Sequence, residues 1–295
     1  MVLAAGPQFA ISKMGRQEGR TQRMKGKRLP YGVQTGFSVF EDSMVEMTWQ
    51  EVQHCADRGC VVLLPIGIVE GHGPHLDLSA DFYLSTLNCR FLKQELEEKG
   101  IESIIAPPFY WGISQDVKKY AGTFSVRPET MKRLLTDIFA SLKSWGFRRV
   151  FVQNAHGDPV HIDMIKSAIA QVNEAPDFKA YFMWDLDVEV KHSIVFPKMR
   201  EDRFQPDYHA GAIETAQMAA FFPEKVRGDV AKTLKPQDGF HPLAYCGDPA
   251  GYDLEINMAE YAHADARLDA LKIEAALLQD GVGYNERQPE DRVKQ

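Results

Sequence analysis

Four short apolar runs, "CVVLLPIG" (60–67), "SIIAPPF" (103–109), "RRVFVQN" (148–154) and "KAYFMWDLD" (179–187), recur along the chain, each separated from the next by a helix-patterned stretch. Short runs rich in β-branched and aromatic residues, bounded by Gly, Pro and polar residues, read as buried strands. The stretches between them, "ADFYLSTLNCRFLKQELEEKG", "RPETMKRLLTDIFASLKSWG" and "HIDMIKSAIAQVN", carry apolar residues at helical spacing. The first two end in the Gly that favours a helix stop. Such strand and helix alternation demands a parallel sheet, and a parallel sheet buries both faces under helices. The expected fold is therefore α/β: three layers, α/β/α, around a mostly parallel central sheet. "TWQE" from Thr48 has the capping-box pattern of a helix running to about Gly59. "INMAEYAHADARLDALKIEAALLQDG" predicts a long C-terminal helix packed on the sheet or on another subunit. The irregular stretch from about Val195 to Asp253 reads as site walls and loops.

At 295 residues and 44% apolar content the chain can bury one large core. A single domain is expected over 41–295, preceded by a surface arm over 1–40 that is rich in Lys and Arg from Lys13 to Arg28. The net charge of −7 offers no electrostatic footprint for nucleic acid. No apolar run reaches the roughly 20 residues a membrane span needs. Cys55, Cys60, Cys89 and Cys246 have no C-x-x-C spacing, and the N-terminus lacks a signal peptide's apolar stretch. Reduced thiols in the cytoplasm are the expectation.

In open parallel sheets ligands bind at the carboxyl ends of the strands. There the polar residues gather. "IGIVEGHGPHLDLSAD" follows the first strand with Glu70, His72, His75, Asp77 and Asp81, and "NAHGD" follows the third with His156 and Asp158. "DYHAGAIETA" adds His209 and Glu214, with Gly211 between them freeing the backbone to turn. Imidazole and carboxylate without thiolate suit Zn²⁺ or Mn²⁺. A carboxylate can bridge two ions about 3.5–4 Å apart, so Asp81 or a neighbour is a candidate bridge. A Gly-rich loop with polar caps is the rival reading of the first stretch. His54, His192, His241 and His263, each isolated, read as surface or hydrogen-bonded residues.

These segments together resemble the creatininase family of metal-dependent amidohydrolases. The family pattern E-x-H-G-P-H-L-P-L-x-x-D is matched by Glu70, His72, Gly73, Pro74, His75, Leu76, Leu78 and Asp81. An N-G-H-type turn is matched by Asn154, Ala155 and His156, and H-x-G-x-x-E-T by His209, Gly211, Glu214 and Thr215. "WGIS" and "AGTFSVRPET" are similar to two further family segments, so the likeness runs from about Met44 to Phe222. The resemblance implies two divalent ions, Zn and/or Mn, held by Glu70, His72, Asp81, His156 and Glu214, with Asp81 bridging. It implies His209 as general acid/base, and Asp158 at the place of an additional metal-associated carboxylate, taken here as a catalytic candidate. Ser114 and His75 are expected near substrate, Ser114 alternatively as a turn-stabilising hydroxyl and His75 alternatively as a group that orients the loop or a ligand.

Relatives in the family act on cyclic amides, formylated pyrimidine nucleotides, a terminal peptide bond, and oxidised inositol rings cleaved at a carbon–carbon bond. The chain departs from the pattern at Val117, where many members have His, at Asp77, where they have Pro, and at "GDPV". The segment "EDRFQPDY" also lacks the tryptophans that creatininase proper places over its substrate, which leaves Phe204 and Tyr208 as an alternative lid. Creatinine is therefore not the expected substrate. Arg127, Lys118 and Lys119 lie where a nucleotide phosphate would want charge, although a solvated face accounts for them equally. The leading expectation is hydrolytic opening of a small polar ring at a cyclic amide. Hydrolytic carbon–carbon cleavage of an oxidised inositol is the runner-up, and an inactive binding relative is the reading from another class. By resemblance a homo-oligomer, commonly a hexamer, is the expected assembly.

Overall fold

The computed structural model describes residues 29–188, 207–252 and 257–281. Strands β1 (Val61–Ile66), β2 (Ser103–Ile105), β3 (Arg149–Asn154) and β4 (Lys179–Phe182) form one sheet in the order β2-β1-β3-β4, with every neighbouring pair parallel. All six residues of β1 are buried, as a central strand covered on both faces must be. Pro65 is tolerated in it because its carbonyl, and hence its nitrogen, faces the side where β2 has already ended, and there Phe109 N–H donates to the Pro65 carbonyl at 2.9 Å.

The described helices are α1 (Trp49–Asp57), α2 (Ala80–Glu98), α3 (Pro128–Ser144), α4 (Pro159–Val172), α5 (Ala212–Phe221), the single turn α6 (Gly228–Ala231), and α7 (Met258–Gln279). Val62, Leu64, Ile66, Val150 and Val152 point to one face and pack with Ala56 of α1, Leu135 and Phe139 of α3, and Ile165 of α4. Their neighbours Val61, Leu63 and Phe151 point the other way, against Leu92 and Leu96 of α2 and Ile273 and Leu277 of α7. The period-2 alternation of the strands thus feeds two apolar layers, and the three-layer α/β/α expectation is met. The Thr48 capping box forms, with Glu51 Oε2 accepting from Thr48 N–H at 2.7 Å.

Three sequence expectations need adjustment. The fourth strand stops at Phe182, where pairing with β3 ends, and Met183–Asp185 make a 3₁₀ turn instead of continuing to residue 187. Within the stretch expected to be irregular, residues 207–252 hold α5 and an antiparallel pair, β5 (Gln237–His241) with β6 (Tyr245–Gly247). Of the expected arm, residues 1–28 lie outside the described residues, whereas 29–40 overlap the packed body. Tyr31 stacks on Phe91 with centroids 4.3 Å apart, and Phe37 packs against Tyr83 and Phe222. Among the described residues no helix is long and apolar enough to cross a membrane.

Asp269 of α7 is 8% exposed and lies 3.3 Å from Gln153 Nε2 of β3. Burial, reinforced by the neighbouring Asp265, pushes its carboxyl up to about 7, with Lys272 opposing. The folded chain therefore holds this proton more tightly than the unfolded chain does. The stability it contributes is complete below the ordinary carboxylate range near pH 4 and is lost as pH rises through about 7. Asp269→Asn should melt above the parent near pH 8, with the gap closing toward pH 4, in thermal melts followed by circular dichroism.

Candidate metal centre

The register that sets Ile66 beside Asn154 brings the carboxyl ends of β1 and β3 level, and Ala155 N–H donates to the Ile66 carbonyl at 3.1 Å to tie the two exits together. The β1 exit carries Glu70 and His72, then turns into α2, whose first turn holds Asp81. This return is tight: a Cβ at Gly67 would come within 2.6 Å of the Phe82 backbone nitrogen and 2.7 Å of the Asp81 carbonyl carbon. Only Gly allows α2 to start against the end of β1. The β3 exit is shaped by Asn154, whose side chain donates to the His156 carbonyl at 2.6 Å and accepts from its N–H at 3.3 Å.

The third segment reaches the same place from α5. Asp207 Oδ2 accepts from Ile213 N–H at 2.7 Å, and a Cβ on Gly211 would collide with the Asp207 carboxylate at 1.3 Å, so the "HAGAIE" glycine is sterically required. Glu214, in the first turn of α5, accepts from Ala210 N–H. β6 backs this segment through Cys246 N–H to the His209 carbonyl at 2.8 Å.

The outcome is three overlapping donor groups: Glu70, Asp81 and His156; His72, Asp81 and Glu214; and Glu70, His72 and His209. Asp81 belongs to the first two. Its Oδ1 lies 3.1 Å from His72 Nε2 and its Oδ2 3.2 Å from His156 Nδ1, while His156 Nδ1 is also 3.1 Å from Glu70 Oε1. Each imidazole is anchored through its other nitrogen to a backbone carbonyl. His72 Nδ1 reaches the Glu70 carbonyl at 3.1 Å, His156 Nε2 the Ile113 carbonyl at 2.8 Å, and His209 Nε2 the Gly71 carbonyl at 2.8 Å.

A carbonyl can only accept, so each anchored nitrogen carries the hydrogen and the other aims a lone pair at carboxylate oxygens. A proton or a cation must stand between lone pair and carboxylate, and a metal ion meets that need with both partners deprotonated. Glu70 is fully buried, yet neither of its oxygens, nor Asp81 Oδ2, accepts a hydrogen bond of ordinary geometry. The donor set of imidazole nitrogen and carboxylate oxygen therefore fits a divalent cation.

The same carboxylates' attraction for positive charge shows in how the rings titrate. Burial would depress the His72 ring, but the Asp81 carboxylate overcomes it and carries the pKa up to about 10. Burial likewise opposes, and Glu70 then Asp81 override, to hold His156 well above its ordinary value. Asp81 is held below the usual carboxylate range, its burial outweighed by His72 and His156. His209 goes the other way: burial and the nearby His72 lower it, which favours a neutral ring.

Beside the donors lies a cavity of about 240 Å³ lined by, among others, Glu70, Ser114, Val117, Asp158, His209 and Phe240. Ser114 lines this cavity, and its Oγ accepts from Val117 N–H at 3.4 Å. Asp158 lines the cavity but belongs to none of the three donor groups. Its Oδ1 caps α4 by accepting from Val160 and His161 N–H at 2.9 and 3.1 Å, and its Oδ2 accepts from Gln115 N–H at 2.7 Å. Backbone donors claim both oxygens. His75 is not among the lining residues. Its Nε2 pairs with Thr215 Oγ1 at 2.9 Å, so the geometry supplies the orienting contact and not the substrate contact.

Asp77 also lies off the cavity, bound to Ser79 and, at 2.8 Å, to Lys225 Nζ. Lys118, Lys119 and Arg127 are absent from the lining as well. Phe204 lies outside the described residues; Tyr208 does line the cavity. Phe240, which sequence reasoning missed, leans over His209 with ring centroids 5.5 Å apart. It arrives on β5, far from any of the motifs, and nothing in its local sequence signals that placement.

The sequence profile described as creatininase (creatinine amidohydrolase) matches residues 45–264, three quarters of the chain by span. The chain belongs to the creatininase family. Within the family it is 28% identical over 195 residues to creatinine amidohydrolase of Pseudomonas putida, covering 61% of this chain and 72% of that one. It is 26% identical over 221 residues to 3-dehydro-scyllo-inosose hydrolase of Thermotoga maritima, covering 74% of this chain and 67% of that one. A creatininase structure of Zn–Zn type superposes with a TM-score of 0.58 at 24% identity, covering 83% of this chain and 98% of the other. The chain is a hydrolase of this family, with a mixed α/β fold shared with creatininase structures.

Gly67→Ala should destabilise the fold by about 1–3 kcal/mol through overpacking against α2, and should lower metal content by displacing Asp81. Thermal melts and elemental analysis of the purified variant check both effects.

Proposed function

We propose that the chain is a two-ion hydrolase that opens a small polar ring at a cyclic amide. The observation that carries this reading is the sharing of Asp81 between two donor groups, one completed by Glu70 and His156 and the other by His72 and Glu214. Zn²⁺ and Mn²⁺ are the ions this set takes. When bound, such a pair polarises a carbonyl and brings a water's pKa close to neutrality.

The chain's own residues then complete the reaction. His209, fixed through Nε2 on the Gly71 carbonyl, has only Nδ1 free, 3.5 Å from Glu70 Oε1 at the cavity wall. Its lowered pKa leaves it neutral and able to take a proton from the attacking water and pass it to the departing ring nitrogen. The C–N bond breaks as the C–O bond forms, and the product is ring-opened. Ser114, Val117, Tyr208 and Phe240 are among the residues that line the space a ring would fill. Asp158 and His75 hold loops in place: Asp158 fixes residue 115 against α4, and His75 joins the metal loop to α5.

The runner-up, hydrolytic cleavage of an oxidised inositol, is favoured by one observation. The inosose hydrolase alignment covers 74% of this chain, against 61% for creatinine amidohydrolase. Metal-replete protein assayed against cyclic amides, lactones, formamides and inososes separates the readings. Turnover of a cyclic amide, abolished by chelator and restored by Zn²⁺ or Mn²⁺, is expected. Turnover of an inosose with all amides inert would replace the first reading, and bound metal with no turnover at all would mark a binding relative.

His209→Ala is expected to keep its metal while losing roughly 10²–10⁴-fold in rate. A fall in metal content instead would make His209 a ligand, as its grouping with Glu70 and His72 permits. Asp81→Ala should disturb both metal positions together, and one ion lost with the other retained would exclude bridging.

A further inference from the structure

One buried titratable ring beside the centre has no part in the chemistry above. His161, in the first turn of α4, is fully buried and meets the ring of His156 edge to face, with centroids 4.8 Å apart and planes at 88°. The two rings share a connector. Ile113 N–H donates to His161 Nδ1 at 3.2 Å, and the carbonyl of the same Ile113 accepts from His156 Nε2 at 2.8 Å. We propose that His161 is a positioning residue for His156: by fixing the Ile113 peptide groups it sets the tautomer and aim of the His156 nitrogen that faces Glu70 and Asp81.

The chemistry of the connector leaves one arrangement. A backbone N–H must donate, so His161 Nδ1 is an acceptor and the hydrogen sits on Nε2. A backbone carbonyl must accept, so His156 Nε2 carries the hydrogen and Nδ1, 3.1 Å from Glu70 and 3.2 Å from Asp81, is the nitrogen that would be left for a metal ion.

The arrangement is costly elsewhere. His161 Nε2 is buried without a hydrogen-bond partner, a penalty that Phe or Leu in the same space would avoid. The strap itself passes close enough only because residue 112 is Gly, since a Cβ there would stand 2.6 Å from the His161 ring. The Nδ1 acceptor is what a hydrocarbon side chain cannot supply. Outer hydrogen bonds that orient a ligating imidazole are worth roughly 10–100-fold in metal affinity.

The inference rests on the proposed role of His156 as a ligand, and one set of measurements separates the two. Co²⁺ and Zn²⁺ affinities would be measured by chelator competition, with the cobalt absorption spectrum recorded, for the parent, His156→Ala, His161→Phe and His161→Asn. Asn places an amide oxygen where the histidine has Nδ1, so it keeps the acceptor and drops the ring. Parent protein that binds neither ion, or His156→Ala that binds both as the parent does, refutes the ligand reading. With that reading intact, His161→Phe should lose about 10–100-fold in affinity with a shifted cobalt spectrum, and His161→Asn should stay within a few-fold of the parent. Parent-like binding by His161→Phe, or equal loss in both variants, overturns the positioning role. Nitrogen-15 NMR of the parent's histidines needs no variant to fold: an Nε2–H tautomer at His161 is expected, and an Nδ1–H tautomer refutes the proposal.

Discussion

A carboxylate that is 1% exposed, Asp81, stands between two imidazoles that come from two different motifs. Burying such a charge costs several kcal/mol unless it is matched, and an unmatched one would protonate or unfold its surroundings. The match is made by topology. β1 and β3 are neighbours and parallel, so the loops after them leave at one level and deliver His72 and His156 to the two oxygens of one residue. Everything else in the centre is arranged around holding those three groups at those distances.

Backbone carbonyls do most of the holding. Glu70, Gly71 and Ile113 each offer a carbonyl to one histidine, so the ring orientations are set by the path of the chain and do not depend on flexible side chains. The path is in turn fixed by contacts that only certain residues permit. Gly67 lets α2 approach β1, and Gly211 leaves room for the Asp207 carboxylate beside α5. Gly73 adopts a left-handed φ of 66° while its N–H donates to the Ala244 carbonyl at 2.7 Å, which joins the metal loop to the β5–β6 hairpin.

The alternation of strand and helix was legible because buried parallel strands leave short, β-branched runs that no surface segment imitates. The donors of the two main groups were legible through motif spacing and family resemblance, since each sits next to a strand exit or a helix start that the sequence marks clearly. Less legible were residues whose meaning depends on what lies across the cavity. Asp77 attracted attention as a departure from the pattern, yet it faces Lys225. Asp158 is a strong helix cap whose second oxygen braces the segment at Gln115, a contact 43 positions away in the chain. Phe240 came from a hairpin whose sequence has no strong alternation, because its exposed residues bury little.

Taken alone, the amino-acid order determined the layer architecture and the strand exits, because hydrophobic period and caps are local properties, and with the family resemblance it marked the candidate metal donors. Tertiary structure alone decided which donors share a carboxylate and which nitrogen of each imidazole faces it. It also decided which polar residues face the cavity and which brace a loop. Those are distances between segments 40 to 140 positions apart, and they exist only once the parallel register of β1 with β3 and the seating of α5 against the metal loop are established.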